Sequence, residues 1–145
     1  MRFNPINGAG GILVILMLVP NIVYAVKFLG GENRCTNRVM NLLEQIGRYA
    51  SMALMILPLG VWEFGFSNVA VMLVYLFGNA GLLAAYWIVW AFYFRKATRG
   101  RALALAVLPT CIFLLSGLTL RHWALVLAGA VFGAAHIYVT RENNP

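Results

Sequence analysis

Few ionisable side chains lie within the apolar part of this chain, and three of them form a pattern that could do chemistry. Glu44 and Arg48 are four residues apart with the acid nearer the N-terminus, the better orientation for an ion pair along one helix. His136 lies in a separate apolar run far along the chain. Carboxylate and imidazole side chains inside a membrane can exchange a proton near neutral pH. Glu44 and His136 are therefore a candidate proton-handling pair.

A purely structural interpretation of the same three residues is simpler. Arg48 can extend its guanidinium group to the lipid headgroups, because long basic side chains reach toward the membrane surface. Glu44 can then pair with Arg48, and His136 can form a hydrogen bond between packed helices. The sequence alone favours this interpretation over a functional site.

The apolar runs that hold these residues have the length of membrane-spanning helices. The chain has 145 residues, of which 62% are hydrophobic and 10% are charged, whereas about 25% of the residues in a soluble domain are charged. A crossing takes about 20 residues, and the sequence predicts five spans, over residues 11–28, 40–62, 69–94, 102–118 and 124–139. The predicted fold is an all-α, polytopic integral membrane helix bundle that forms a single transmembrane domain over residues 1–145.

The second predicted span shows which side of the helix faces the protein interior. Positions 41, 44, 45, 48 and 52 share one face of a helix with 3.6 residues per turn. A charge near the centre of a span costs about 2.5–3.5 kcal/mol, so charged side chains normally face protein or trapped water. This polar face is therefore predicted to point into the bundle.

The basic residues predict the orientation of the chain. Most of the eleven Lys and Arg residues lie in the short segments between apolar runs, and RKATRGR, residues 95–101, is the densest of these segments. If that segment is cytoplasmic, eight basic residues lie inside and two outside. The positive-inside rule therefore predicts an extracellular N-terminus and a cytoplasmic C-terminus. This scattered distribution argues against nucleic-acid binding, which needs a basic face.

Two asparagines add polar groups nearer the middle of the predicted membrane region, at Asn21 and Asn79. Asn21 follows Pro20, which has no backbone N–H and leaves a carbonyl of the preceding turn without a donor. Asn21 could satisfy backbone groups freed in this way. Both asparagines join Glu44, Arg48 and His136 as candidates for a polar binding site.

Small residues predict where helices pack closely, either within the chain or between subunits. One ridge has spacings of three and four residues, and one pair forms a GxxxG motif: Gly78, Gly81 and Ala85, and Gly129 and Gly133. Aromatic residues near the ends of spans are typical of anchors at the membrane surface, among them Trp87, Trp90 and Tyr93.

Three segments, NLLEQIGRYASM, YLFGNAGLLAAYW and LPTCIFLLSGLTLRHW, carry a resemblance to known proteins. They are similar to small multi-pass membrane proteins of Gram-positive anaerobic bacteria, and the resemblance covers nearly the whole chain. It implies a location in the bacterial plasma membrane. That group has no assigned activity, so the resemblance implies no functional residue.

These features lead to three hypotheses about function. The first is a transporter- or channel-like bundle with a polar intramembrane site, surrounded by the lipid bilayer and forming a homo-oligomer. The second is a non-catalytic accessory or regulatory subunit that docks on a larger membrane protein through the small-residue ridges. An intramembrane enzyme comes third, because the chain has four acidic residues and lacks HExxH, GxSxG and P-loop motifs. No cofactor or metal site is predicted.

Overall fold

The computed structural model describes residues 8–28, 37–57 and 68–143. Within these residues the fold is all-α, as predicted, and consists of five helices. They are α1 (Gly8–Phe28), α2 (Arg38–Ile56), α3 (Val69–Arg95), α4 (Arg99–Thr119) and α5 (Trp123–Asn143).

Three of these helices, α3, α4 and α5, are long and apolar enough to cross a membrane. In α1 the apolar stretch Gly10–Tyr24 is shorter. Helix α2 ends at Ile56 with Leu57 as its C-cap, and residues 58–62 of the predicted span 40–62 lie outside the described residues.

Several predicted helix ends differ from those in the structure: α1 begins at Gly8 rather than at residue 11, and α2 begins at Arg38 rather than at residue 40. Helix α4 begins at Arg99 rather than at residue 102, because the Thr98 hydroxyl accepts a hydrogen bond from the backbone N–H of Arg101 at 3.2 Å and caps the helix. The second half of the RKATRGR segment is therefore the first turn of α4. Helix α5 continues to Asn143, four residues beyond the predicted end of the fifth span.

Helix α2 buries its polar side and exposes its apolar side. Its buried residues are Glu44, Gly47, Ser51 and Met55. Large apolar side chains point away from the bundle, and they include Val39, Leu42, Ile46 and Tyr49. A helix in water shows the opposite arrangement, because there the apolar side is buried. A lipid environment explains an apolar outer face.

One residue of the predicted polar face lies elsewhere. Gln45 is exposed, whereas Asn41, Arg48 and Met52 are half-buried beside the buried Glu44. Successive residues on a helix are about 100° apart, so Gln45 falls at the edge of a face that is centred on Glu44 and Gly47. Its side-chain oxygen lies 3.5 Å from Nη1 of Arg48.

Glycines set the close contacts of α5 with two other helices. A Cβ atom on Gly47 would lie 2.8 Å from the backbone of Phe132, so α2 and α5 cross almost backbone to backbone. Gly129 and Gly133 face α4, where a Cβ would meet Phe113 and Thr110 respectively. Helix α5 is thus held between α2 and α4, and this position determines where His136 lies.

Helix α1 contacts α2 and α3. Pro20 lies inside α1, and its missing N–H leaves the carbonyl of Leu16 without its usual donor. The indole Nε1 of Trp87 on α3 donates to that carbonyl at 2.8 Å. Trp87, predicted as a surface anchor, therefore joins α3 to α1 at the proline.

Candidate functional site

Glu44 lies between a guanidinium group and an imidazole ring. Nη2 of Arg48 donates to Oε1 of Glu44 at 3.2 Å, and Nδ1 of His136 lies 2.9 Å from Oε2. The Glu44 side chain is 9% exposed, compared with 22% for His136 and 30% for Arg48. Both carboxylate oxygens therefore have partners, and the buried charge is compensated. Glu44, Arg48 and His136 are called the acid–imidazole cluster below.

The contact between Glu44 and His136 joins α2 to α5 across the close crossing at Gly47. A side chain larger than hydrogen at Gly47 would force the helices apart and lengthen that contact. Sequence reasoning identified all three members of the cluster but missed Gly47 as the residue that lets them meet. The signal was present, since Gly47 lies three residues after Glu44 and falls on the same helical face.

An aromatic ring forms one side of the acid–imidazole cluster. Phe132 lies one turn before His136 on α5, and the two rings stack with centroids 4.8 Å apart and planes 24° apart. The Cζ atom of Arg48 lies 5.9 Å from the centroid of the same ring, within cation–π distance. Phe132 thus restricts both the imidazole and the guanidinium group.

Two cavities adjoin this cluster. The larger, of about 390 Å³, is lined by residues of all five helices, among them Met17, Arg48, Tyr86, Pro109 and His136. The smaller, of about 250 Å³, is lined by residues of α1, α3, α4 and α5. Asn21, Tyr86 and His136 line both cavities, which are partly open to the surface and are called the larger and the smaller chamber below.

Asn21 and Tyr86, which line both chambers, form a hydrogen bond with each other. The amide Nδ2 of Asn21 donates to the hydroxyl of Tyr86 at 2.7 Å and to the carbonyl of Met17 at 2.8 Å. Asn21 therefore does bond to the backbone of its own helix, although the carbonyl that Pro20 frees is bonded by Trp87 instead. Tyr86 was not predicted, and no local pattern distinguishes it from the other aromatic residues of α3.

Asn79, the remaining polar candidate, lies apart from the acid–imidazole cluster. Its Nδ2 donates to the hydroxyl of Ser116 on α4 at 3.1 Å, and its Oδ1 has no hydrogen-bond partner among the described residues. Asn79 is buried and is not among the residues that line either chamber. It joins α3 to α4.

The predicted small-residue ridge on α3 divides into two parts. A Cβ on Gly78 would lie 2.7 Å from Leu115 of α4, so Gly78 faces a neighbouring helix within the chain. Gly81 is exposed, and a Cβ there would meet nothing within 4 Å. Ala85 is half-buried. Docking of a second copy or of a larger membrane protein on this ridge stays a prediction.

The acid–imidazole cluster can hold or release one proton without leaving a lone buried charge. With neutral imidazole, the carboxylate and guanidinium charges cancel, and Nδ1 of His136 donates to Oε2 of Glu44. Protonation of the imidazole gives the cluster a net charge of +1, with the new charge next to the carboxylate. Across residues 8–28, 37–57 and 68–143, no group of three His, Cys, Asp or Glu side chains could hold a metal ion.

Comparisons with models of protein families, with curated proteins and with solved structures find no match for this chain. Its function has to be inferred from the contacts of its own side chains.

Proposed function

We propose that this chain is a small transporter that moves a solute across a membrane in exchange for a proton. One observation carries the proposal: His136 contacts the buried Glu44 carboxylate and also lines both chambers between the helices. This supports the proposal, because an imidazole beside a carboxylate is a suitable proton carrier and the cavities are where a solute would pass in the proposed transporter. A structural ion pair would not need to border two cavities.

The proposed setting is the bacterial plasma membrane, crossed five times, with the N-terminus outside and the C-terminus inside. The apolar outer face of α2 supports a membrane position for that helix. The number of basic residues on each side supports the orientation, because cytoplasmic segments carry the excess of Lys and Arg. In this orientation the acid–imidazole cluster lies toward the cytoplasmic end of the bundle.

The chemistry of exchange follows from the charge of the cluster. When His136 is protonated, the cluster carries one positive charge, and a cation in either chamber is repelled. When the proton leaves, the charges of Glu44 and Arg48 cancel and a cation can enter. A proton and a cation that bind alternately at one site can be exchanged across the membrane, provided that the site opens to each side in turn.

Proton movement in reconstituted liposomes tests the proposal. An imposed pH gradient is followed with an enclosed pH-sensitive dye, with and without a panel of small organic cations, sugars and amino acids outside. We expect solute-dependent proton flux with the natural chain and none above protein-free liposomes with His136→Gln, because that variant lacks the group that takes up the proton. Glu44→Gln should strongly reduce the flux, because it removes the carboxylate that stabilises the protonated imidazole. Glu142→Gln is the matched control, since Glu142 is an exposed acid near the end of α5.

Two results would contradict the proposal. One is proton flux through Glu44→Gln and His136→Gln at the rate of the natural chain. The other is no flux above protein-free liposomes for the natural chain with every solute in the panel. Circular dichroism and elution as a single species confirm that each variant is folded before its flux is compared.

A further inference from the structure

The smaller chamber has walls that are rich in aromatic rings. Four of the residues that line it are aromatic: Tyr24 from α1, and Tyr86, Trp90 and Tyr93 from α3. Trp90 and Tyr86 are buried, whereas Tyr24 and Tyr93 are half-buried. Two of these residues, Trp90 and Tyr93, were predicted as anchors at the membrane surface. Their place in the wall of a cavity calls for another explanation.

Three of these rings form a compact and mutually inclined set. The centroid of Tyr24 lies 5.4 Å from that of Trp90 and 5.8 Å from that of Tyr93, and the last two are 5.5 Å apart. The planes meet at 49°, 55° and 85° respectively. Rings at these separations contact one another, so they form one continuous aromatic side of the chamber, against which a cation can make a cation–π contact.

Among the side chains that the structure describes, those that line this chamber include no Lys or Arg. Its other polar groups are the amides of Asn21 and Asn143, the hydroxyl of Thr140 and the imidazole of His136. The carboxylate of Glu44 lies behind this imidazole, with its Oε2 2.9 Å from Nδ1 of His136. Aromatic faces and hydroxyl oxygens are electron-rich, so the chamber suits a positively charged guest better than an anion.

We propose that the smaller chamber binds an organic monocation of the quaternary ammonium class. Such a cation has no N–H group and cannot be recognised by hydrogen bonds to its nitrogen, so aromatic faces are its characteristic partners. The volume of about 250 Å³ is slightly below that of pockets for drug-sized ligands and fits a small ion such as choline or tetramethylammonium. This inference rests on the proposed function for its transport role, since it names the class of solute, but the binding can be measured without transport.

The position of His136 links cation binding to the proton. From α2, Glu44 and Arg48 face the imidazole. The titratable side chains that α1 and α3 contribute to the lining are all tyrosines, and the α4 residues there, Ala102 and Leu105, do not titrate. Protonation of His136 or Glu44 makes this wall more positive in either case. Cation affinity must therefore fall as the pH is lowered.

Binding of radiolabelled choline to the purified chain in detergent, measured by equilibrium dialysis, tests the proposal. Competition with unlabelled choline is compared with competition by its uncharged isostere, in which carbon replaces the quaternary nitrogen. We expect choline to compete and the isostere to compete at least tenfold less well, because the two differ only in charge. Affinity should be higher at about pH 8 than at about pH 5.5, and His136→Gln should reduce this difference.

Variants of the ring set locate the binding site. Tyr93→Leu and Trp90→Leu should each weaken choline binding by about three- to thirtyfold, the effect of one aromatic face. Tyr93→Phe keeps the ring and should bind like the natural chain. Phe77→Leu is the matched control, since it removes an aromatic ring of α3 whose side chain is 73% exposed. Because Trp90 is buried, the half-buried Tyr93 provides the variant least able to disturb folding.

Any of three results would overturn the proposal. The first is that the chain does not bind choline, the second is that choline and its isostere compete equally well, and the third is that Tyr93→Leu binds choline as tightly as Tyr93→Phe does. These outcomes are distinguishable from a failure of the proposed function. If the chain binds choline but its proton flux does not require Glu44, the cation site is supported and the exchange mechanism is refuted. If proton flux requires Glu44 but the chain does not bind choline, the exchange mechanism is supported and the cation site is refuted.

Discussion

The acid–imidazole cluster and the hydrogen-bonded pair of Asn79 and Ser116 are two polar contacts between helices of this bundle. They differ in whether they contain ionisable groups and in whether they border a chamber. In the acid–imidazole cluster both carboxylate oxygens of Glu44 have partners, and His136 borders two chambers. In the other cluster, Asn79 and Ser116 share one hydrogen bond of 3.1 Å, and Asn79 lines neither chamber. The first cluster contains groups that titrate in water, whereas the second contains only amide and hydroxyl groups.

The two contacts illustrate two different roles for a buried polar group in a membrane helix. Hydrogen bonds between membrane helices contribute about 0.6 kcal/mol on average, so a pair such as Asn79 and Ser116 adds a little stability and fixes how α3 faces α4. A buried carboxylate costs more to place in the membrane and needs compensating partners. In this chain those partners are Arg48 and His136, and His136 also lines both chambers.

A large loss of stability is expected from a substitution at Gly47, where α2 and α5 cross. Gly47→Val places side-chain atoms against the backbone of Phe132, so α2 and α5 must separate, and we expect the free energy of unfolding to fall by about 1–3 kcal/mol. Gly81→Val is the matched control, because a Cβ at Gly81 meets nothing within 4 Å. Unfolding by increasing SDS, followed by circular dichroism, measures both variants. Equal stability of the two would show that α2 and α5 are not in close contact.

Double-mutant cycles measure how strongly the two residues in each cluster stabilise one another, and the coupling energy should be larger in the acid–imidazole cluster. We expect a coupling energy of about 1.5–3 kcal/mol between Glu44→Ala and His136→Ala, because that hydrogen bond involves a charged group. The cycle of Asn79→Ala and Ser116→Ala should give about 0.6 kcal/mol. The same SDS titration supplies all the free energies. A coupling at Asn79 and Ser116 as large as that at Glu44 and His136 would remove the distinction between the clusters.

Much of the helical framework could be predicted from the sequence, because apolar runs and basic segments follow from local composition. The pairing of Glu44 with Arg48 could also be predicted, since a spacing of four residues places both on one side of a helix. The partners of Pro20 and Asn21 could not be predicted. Trp87 and Tyr86 reach them from α3, and such contacts depend on how whole helices pack.

The chamber with aromatic walls illustrates the same limit. Trp90 and Tyr93 lie near the end of a predicted span, where aromatic residues usually contact lipid headgroups. Only the packing of α1, α4 and α5 around that end of α3 turns them into the wall of a cavity. Sequence position predicts the depth of a residue in the membrane, but it does not predict which neighbours the residue meets.

The most direct test of the account is whether position 44 of α2 faces position 136 of α5 in a membrane. Glu44→Cys and His136→Cys are combined in a chain whose own Cys35 and Cys111 are replaced, and membranes are treated with a short thiol-reactive cross-linker. Ile46→Cys with His136→Cys is the control, because Ile46 is 55% exposed on the outer side of α2. The account predicts efficient cross-linking of positions 44 and 136 and little of 46 and 136. Cross-linking of 46 with 136 in preference to 44 with 136 would contradict it.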